Sequence, residues 1–383
     1  MFEFIVFGED WGRHPSSTQH LFHHISQLYP VIWVNSVGMR SPSLSATDIK
    51  RVGEKVLDMC RFDSEQAEQE QHYFTQKLAP KVLPWHNQPW VNSLNTWLMH
   101  HQLLLQPANK EVKRVYWLSL PTAFSLIEPE KDDLVIYYCG DDFSALAGVD
   151  HKMVAQWEAK LVERADLIIS ASEVLNNKFP PTKSFLSTHG VNYDLFATPA
   201  EIDPRLADIK TLGQPVVGFY GSISSWLDVE LIQHCIQQRP NYQFVFVGTP
   251  CIDISGLAQF NNCHFIPAVA HQQLPGFSQH WDVSILPFAL NAQIPACTPL
   301  NLVEYLAAKT PIVTTRYPAA EALAEHVYIA DGERHFAVQL DSAINNTAAT
   351  NVSFALWLQT QSWSNKAEQI IFQMMRKFTT AQV

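Results

Sequence analysis

Residues 299–313 read PLNLVEYLAAKTPIV: a proline-led helical turn, an acid one turn in, small alanines, and a buried strand at once. Pro299 suits the first turn of a helix because it has no N–H to leave unpaired there. The other first-turn amides lack partners within the helix and lie at the positive end of its dipole, so they can hold an anion. Glu304 and Tyr305 lie deeper on the same element, where a carboxylate can accept hydrogen bonds from sugar hydroxyls. The pattern predicts a helix over 299–308 followed by a buried strand over 311–317.

Outward from this stretch the same alternation repeats. Toward the C-terminal side of the chain, 216–222, 242–248, 263–269 and 282–288 read as short buried strands, with helices expected at 226–238 and 318–325. Toward the N-terminus, 2–8, 31–36, 114–120, 133–139 and 165–172 read likewise, with helices expected at 16–28, 92–106 and 150–164. Strands alternating with helices give parallel sheets built from βαβ units. The segment 41–90 breaks the alternation and reads as a long loop insertion. A Pro- and charge-bearing stretch at 197–214 separates the two series and reads as a linker. The fold class is therefore α/β, with an N-terminal Rossmann-like domain at 1–196, a linker at 197–214 and a C-terminal Rossmann-like domain at 215–361. The tail 362–383 reads as an amphipathic helix.

Composition narrows the function classes. A chain of 383 residues suits two domains, and a formal charge of −11 argues against a nucleic-acid partner. No apolar run reaches the length of a membrane span. The opening MFEFIVFGEDWG reads as a first strand rather than a signal peptide. Six scattered cysteines without a C-x-x-C pair point to reduced thiols in the cytoplasm. No G-x-G-x-x-G follows either domain's first strand, which disfavours a dinucleotide dehydrogenase.

In such sheets the ligand crevice lies outside the carboxyl ends of the strands. There stand Gly221 and Ser222, Gly248, and Ala268 with Val269 in the second series. The two glycines let backbone approach a ligand, and Ser222 either caps a helix or binds phosphate. In the first series Asp141 and Asp142 follow an apolar strand. A carboxylate there can deprotonate or orient an acceptor hydroxyl, or it can cap the following turn. Arg13 and His14 lie in the loop after the first strand and are candidates for acceptor or phosphate contacts. His189 either touches a ligand or packs at the hinge.

The stretch 299–313 resembles the nucleotide-binding helix of GT-B glycosyltransferases, P-L-K-x-x-E-Y-L-A-A-G-x-P-V-V. GFYGSISSWLDVELI (218–232), HFIPAVAHQQLPGFSQHWDVSILPF (264–288), YYCGDDFSALAGVD (137–150), ERADLIISASEVL (163–175) and STHGVNYDLF (187–196) extend the resemblance in order over residues 133–315. They resemble a bacterial branch that acts on cell-surface polysaccharides, including teichuronic-acid-type glycosyltransferases. The resemblance implies two Rossmann-like domains facing across a cleft, with the terminal helix packed back on the first. It implies transfer of a sugar from a nucleotide-diphosphate sugar, UDP being the first choice, to a glycan or lipid-linked acceptor. The nucleotide sugar is then a substrate, with no cofactor and no metal. A lipid-linked acceptor would place this cytoplasmic protein peripherally at the inner face of the membrane.

Carried over residue by residue, the resemblance puts the base near Gly248, Ala268 and Val269, and the ribose on Glu304. The diphosphate falls on Gly221, Ser222 and the segment Thr298, Pro299, Leu300 and Asn301. Asp141 and Asp142 are then the catalytic candidates. Arg13 and His14 are acceptor contacts, and His189 is a hinge or donor contact. Two positions depart from the pattern. Asn301 replaces a lysine, removing a phosphate contact that Arg13 or Arg316 would have to supply, and Lys309 replaces the glycine at the helix stop. These departures favour the alternative of a non-catalytic nucleotide-sugar-binding partner. A nucleotide-sugar epimerase is the other enzyme reading of the same fold.

Overall fold

The computed structural model describes residues 2–12, 16–36, 74–83, 88–103, 112–146, 148–346 and 352–380. It divides into two compact units, Met1–Ser187 with Ala367–Val383, and Thr188–Lys366.

The first unit is built on β1 (Phe2–Phe7), β2 (Val31–Val34), β3 (Gln76–Leu78), β4 (Lys113–Leu118), β5 (Leu134–Cys139), β6 (Leu167–Ser170) and β7 (Ser184–Leu186). They form one sheet in the order β3-β2-β1-β4-β5-β6-β7, and the pairs are parallel. Both faces of such a sheet are covered, so its central strands need unbroken apolar runs. LVIYYC in β5 is buried from end to end. Val6 lies opposite Trp33 on one side and Trp117 on the other. Phe22, from the helix Ser17–Ile25, meets Trp117 edge-on at 5.0 Å. Ser16 starts that helix by accepting the Gln19 amide at 3.3 Å. β3 and β7 escape the periodicity reading because they are three-residue strands at the sheet edges without a buried residue between them. The segment read as a loop over 41–90 is described only at its C-terminal end. That end holds β3 and the start of the helix Pro89–Gln102.

The second unit carries β8 (Val216–Tyr220), β9 (Gln243–Val247), β10 (Cys263–Ile266), β11 (Val283–Leu286), β12 (Ile312–Thr315) and β13 (Tyr328–Ala330). Their order is β10-β9-β8-β11-β12-β13, again with parallel pairs. Phe196, Phe219, Phe244, Phe246, Phe277 and Tyr305 are its largest fully buried side chains.

The stretch 197–214 holds a helix, Pro204–Lys210, started by Asp203. It is fastened to the second unit. The Asp203 amide donates to the Gly276 carbonyl at 3.0 Å, and Lys210 Nζ donates to the His280 carbonyl at 2.6 Å. A seven-residue helix with Leu206 as its one buried residue leaves little periodic signal, which is why it reads as linker. The chain passes between the units at Ser187–Thr188 and again within the helix Trp363–Thr380. Beyond Ala367 this helix belongs to the first unit. There Phe378 meets Phe2 edge-on at 5.4 Å and Lys377 donates to the Thr182 carbonyl.

Candidate functional site

In each sheet the strand order reverses beside the unit's first strand, between β1 and β4 and between β8 and β11. The carboxyl ends at such a reversal are where open α/β sheets bind ligands.

In the second unit three loops converge there. Gly221, just past β8, has φ +140°, a conformation that side chains resist. Gly248, just past β9, lies against it so closely that a Cβ on Gly248 would stand 1.9 Å from the Gly221 carbonyl oxygen. The Ile223 amide donates to the Thr249 carbonyl and the Cys251 amide to the Ile223 carbonyl, which ties the two loops together. The loop after β11 joins them, because the Ala289 amide donates to the Trp226 carbonyl at 2.7 Å. Ser222 is exposed, with its hydroxyl 3.5 Å from Cys251 Sγ.

The helix Leu300–Ala307 begins at the same edge. Pro299 is its cap rather than its first helical residue, since its ψ of 132° is extended. Among the described residues no side chain caps this N-terminus, and Thr298, Leu300 and Asn301 are partly exposed around it. Asn301 Nδ2 donates to the Tyr220 carbonyl at 3.1 Å, which binds the helix start to the end of β8. Glu304, one turn on, is buried and accepts from two sides. Tyr220 Oη donates to Oε2 at 2.8 Å, and His271 Nε2 lies 2.7 Å from Oε1. His271 follows the loop that holds exposed Ala268 and half-buried Val269. Gly221, Gly248, Asn301 and Glu304 thus gather around the end of β8, while Ala268 and Val269 join them through His271. A depression lined by Glu321, His326, Phe354 and Trp357 includes none of these groups.

In the first unit Gly140, Asp141 and Asp142 follow β5. Asp142 pairs with Lys178 at 2.5 Å and accepts from the Ser144 amide and hydroxyl. Burial pushes its carboxyl up, but the bonds from Lys178 and Ser144 outweigh that and hold it below the usual range. Asp141 is solvent-accessible. Crowding by protein raises its carboxyl, and the charge of Asp142 adds to the shift. Glu9, past β1, is raised in the same way by desolvation and by the charges of Asp141 and Asp10, against a hydrogen bond from Ser16. Arg13 and His14 lie outside the described residues. Arg316, past β12, is exposed and engaged by Asp331 at 2.6 and 3.0 Å and by Glu321 at 2.9 Å. His189 is half-buried, and burial together with the nearby Lys366 charge pushes its imidazole down to about 4.

Residues 214–348, which hold the whole six-stranded sheet, match the family model described as glycosyl transferases group 1. This segment is similar to group 1 glycosyltransferase domains. A protein of Bacillus subtilis (strain 168) named as a candidate teichuronic acid biosynthesis glycosyltransferase, TuaH, is 26% identical over 238 residues, 57% of this chain and 60% of its own length. The chain thus matches less than two thirds of that relative. Among solved structures, Anabaena HepE in complex with UDP and glucose superposes with a TM-score of 0.66 at 13% identity, over 97% of this chain and 99% of its own. An E. coli structure described as trehalose-6-phosphate bound with UDP-2-fluoro glucose gives 0.65 at 12% identity, over 97% and 98%. At these identities the likeness is one of fold, two Rossmann-like domains of the GT-B class.

Two residues of this candidate site carry no signal of their own in the sequence. His271 sits in AVAHQQLP, where nothing local distinguishes it from a surface histidine. Tyr220 sits in a strand whose apolar run reads as core, and its hydroxyl matters only because Glu304 comes to meet it. In the first unit Glu9 likewise carries no signal of its own, although it lies in the loop after β1.

Proposed function

We propose that this chain is a metal-independent glycosyltransferase. It would move a sugar from a nucleoside-diphosphate sugar, with UDP the first choice, to a glycan or lipid-linked acceptor in cell-surface polysaccharide synthesis. The observation that carries this reading is the meeting of Gly221, Gly248, Asn301 and Glu304 at the end of β8, beside an uncapped helix N-terminus. Close-packed glycine backbone and the amides of Leu300 and Asn301 at the helix start suit a diphosphate, and a fixed carboxylate suits a ribose diol. Charge that develops on the leaving diphosphate is stabilised by these amides and the helix dipole rather than by a cation. The names of the similar proteins agree with this reading. TuaH is named for teichuronic acid biosynthesis, and the HepE structure holds UDP and glucose.

The acceptor is assigned to the strand-end loops of the first unit. Asp141, with Glu9 beside it, is the general-base candidate, because its raised carboxyl lies nearer neutrality than an ordinary one. Asp142 holds the loop through Lys178 and Ser144. A lipid-linked acceptor would bring the protein to the membrane surface as a peripheral protein.

One observation favours a non-catalytic nucleotide-sugar binder. The Asn301 amide carries no charge and is engaged by the Tyr220 carbonyl, and Arg316 is neutralised by two carboxylates. Turnover decides between the two. Purified protein incubated with radiolabelled UDP-sugars and bacterial membranes should transfer label to lipid or glycan, at a rate unchanged by EDTA and strongly reduced in Asp141→Asn. Nucleotide binding without transfer from any donor would leave the binder.

A further inference from the structure

We propose that His271 is a positioning residue that fixes Glu304 for a ribose, so that the site selects ribonucleoside over 2′-deoxyribonucleoside diphosphates. This rests on the reading that Glu304 faces the donor ribose. An ionised carboxylate only accepts hydrogen bonds, so the 2.7 Å contact requires His271 Nε2 to carry its proton toward Oε1. Tyr220 holds the other oxygen at 2.8 Å. With one donor on each oxygen, the carboxylate cannot turn about its terminal bond. Each oxygen keeps a second lone pair, and two lone pairs at fixed spacing match the two hydroxyls of a vicinal diol.

The clamp is itself held. Phe196 meets the His271 ring edge-on at 5.4 Å. The Tyr220 amide donates to the Tyr305 hydroxyl at 2.9 Å, and its carbonyl accepts from Asn301. His271 and Glu304 side chains are 15% and 10% exposed, so water competes little for these bonds. His271 also stands two residues beyond Val269 and begins the short helical turn His271–Gln273. A base seated on the loop of Ala268 and Val269 therefore sets the place of His271, and through it the carboxylate that grips the sugar. Recognition of base and of ribose is coupled by this one side chain.

The test is calorimetric titration of the full chain with UDP, GDP and ADP and their 2′-deoxy counterparts. The proteins are wild type, Glu304→Ala, His271→Phe, His271→Gln and the His271→Phe/Glu304→Ala double variant. Phenylalanine keeps the ring packing on Phe196 but removes the donor, and glutamine restores an N–H. Wild type should prefer the ribonucleotide by about tenfold, the worth of one hydrogen bond to a charged group. His271→Phe should lose most of that preference while its affinity for the deoxynucleotide stays near wild type, and His271→Gln should recover part of it. In the Glu304→Ala background the histidine change should have no further effect. Equal weakening of ribo- and deoxyribonucleotides by His271→Phe, or an unchanged preference, would overturn the proposal. A wild type without ribose preference, or Glu304→Ala with full affinity, would instead remove the ribose assignment itself and this proposal with it.

Discussion

Lys309 has φ +62°, the one non-glycine residue in the left-handed region among the described residues. Its amide donates to the Leu306 carbonyl and the Thr310 amide to the Tyr305 carbonyl, the two bonds of a Schellman stop. A side chain in that conformation costs about 1 kcal/mol or slightly more. Lys309→Gly should therefore stabilise the protein by about 1 kcal/mol in urea unfolding, whereas a loss of stability would show that the lysine makes a compensating contact. Lys366 poses a larger cost. It is 6% exposed, and among the described residues its ammonium donates to two neutral acceptors, Thr188 Oγ1 and Gln361 Oε1. Burial pushes it down to about 8, so below that pH the folded protein carries a penalty on the order of 3 kcal/mol relative to a free lysine. The unfolded chain binds the proton more tightly, so stability should rise with pH from 8 toward 10.5. His189, held near 4, adds a second rise between 4 and 6.5. Unfolding midpoints against pH should show the upper rise in wild type and lose it in Lys366→Met; the same slope in the variant would assign it elsewhere.

The helix Leu300–Ala307 and the glycine loops were the most legible elements. Apolar residues at helical spacing, a leading proline and a following β-rich run left one assignment for 299–313. Only the place of Pro299 moved, from first helical residue to cap. Gly248 read as a point where backbone approaches a ligand; in the structure the space its missing side chain leaves is taken by the backbone of Gly221. That contact makes a sharp prediction. Gly248→Ala should lower stability by about 1–3 kcal/mol by forcing the two loops apart. It should also abolish nucleotide binding by thermal shift. Gly256→Ala, in the helix Ser255–Ala258 where an added methyl meets nothing within 4 Å, should leave binding unchanged and should not lower stability. Binding retained in Gly248→Ala would mean that this loop pair is no part of the site. The edge strands β3, β7 and β13 were not legible because three residues cannot express a period. His271 and Tyr220 were not legible because their role arises only where β8, the loop after β10 and the helix come together.

At the scale of the whole molecule, alternation of strand and helix sufficed for two parallel α/β units, but it said less about where one ends. Residues 188–214 read as the end of one domain and a linker. In the structure Val191, Phe196 and Leu206 belong to the core of the second unit. Burial of so few side chains in short elements leaves a composition that still looks like a linker. The formal charge of −11 is spread over a chain whose candidate anion site depends on backbone amides, not on a basic patch. Thermal-shift screening of the purified 383-residue chain against UDP, GDP, CDP and ADP, with Glu304→Ala alongside, tests this most directly. One nucleoside diphosphate, UDP first, should raise the midpoint of wild type by selective binding to the folded state, and the shift should vanish in Glu304→Ala. No shift with any nucleotide, or an equal shift in the variant, would contradict a donor site at the end of β8.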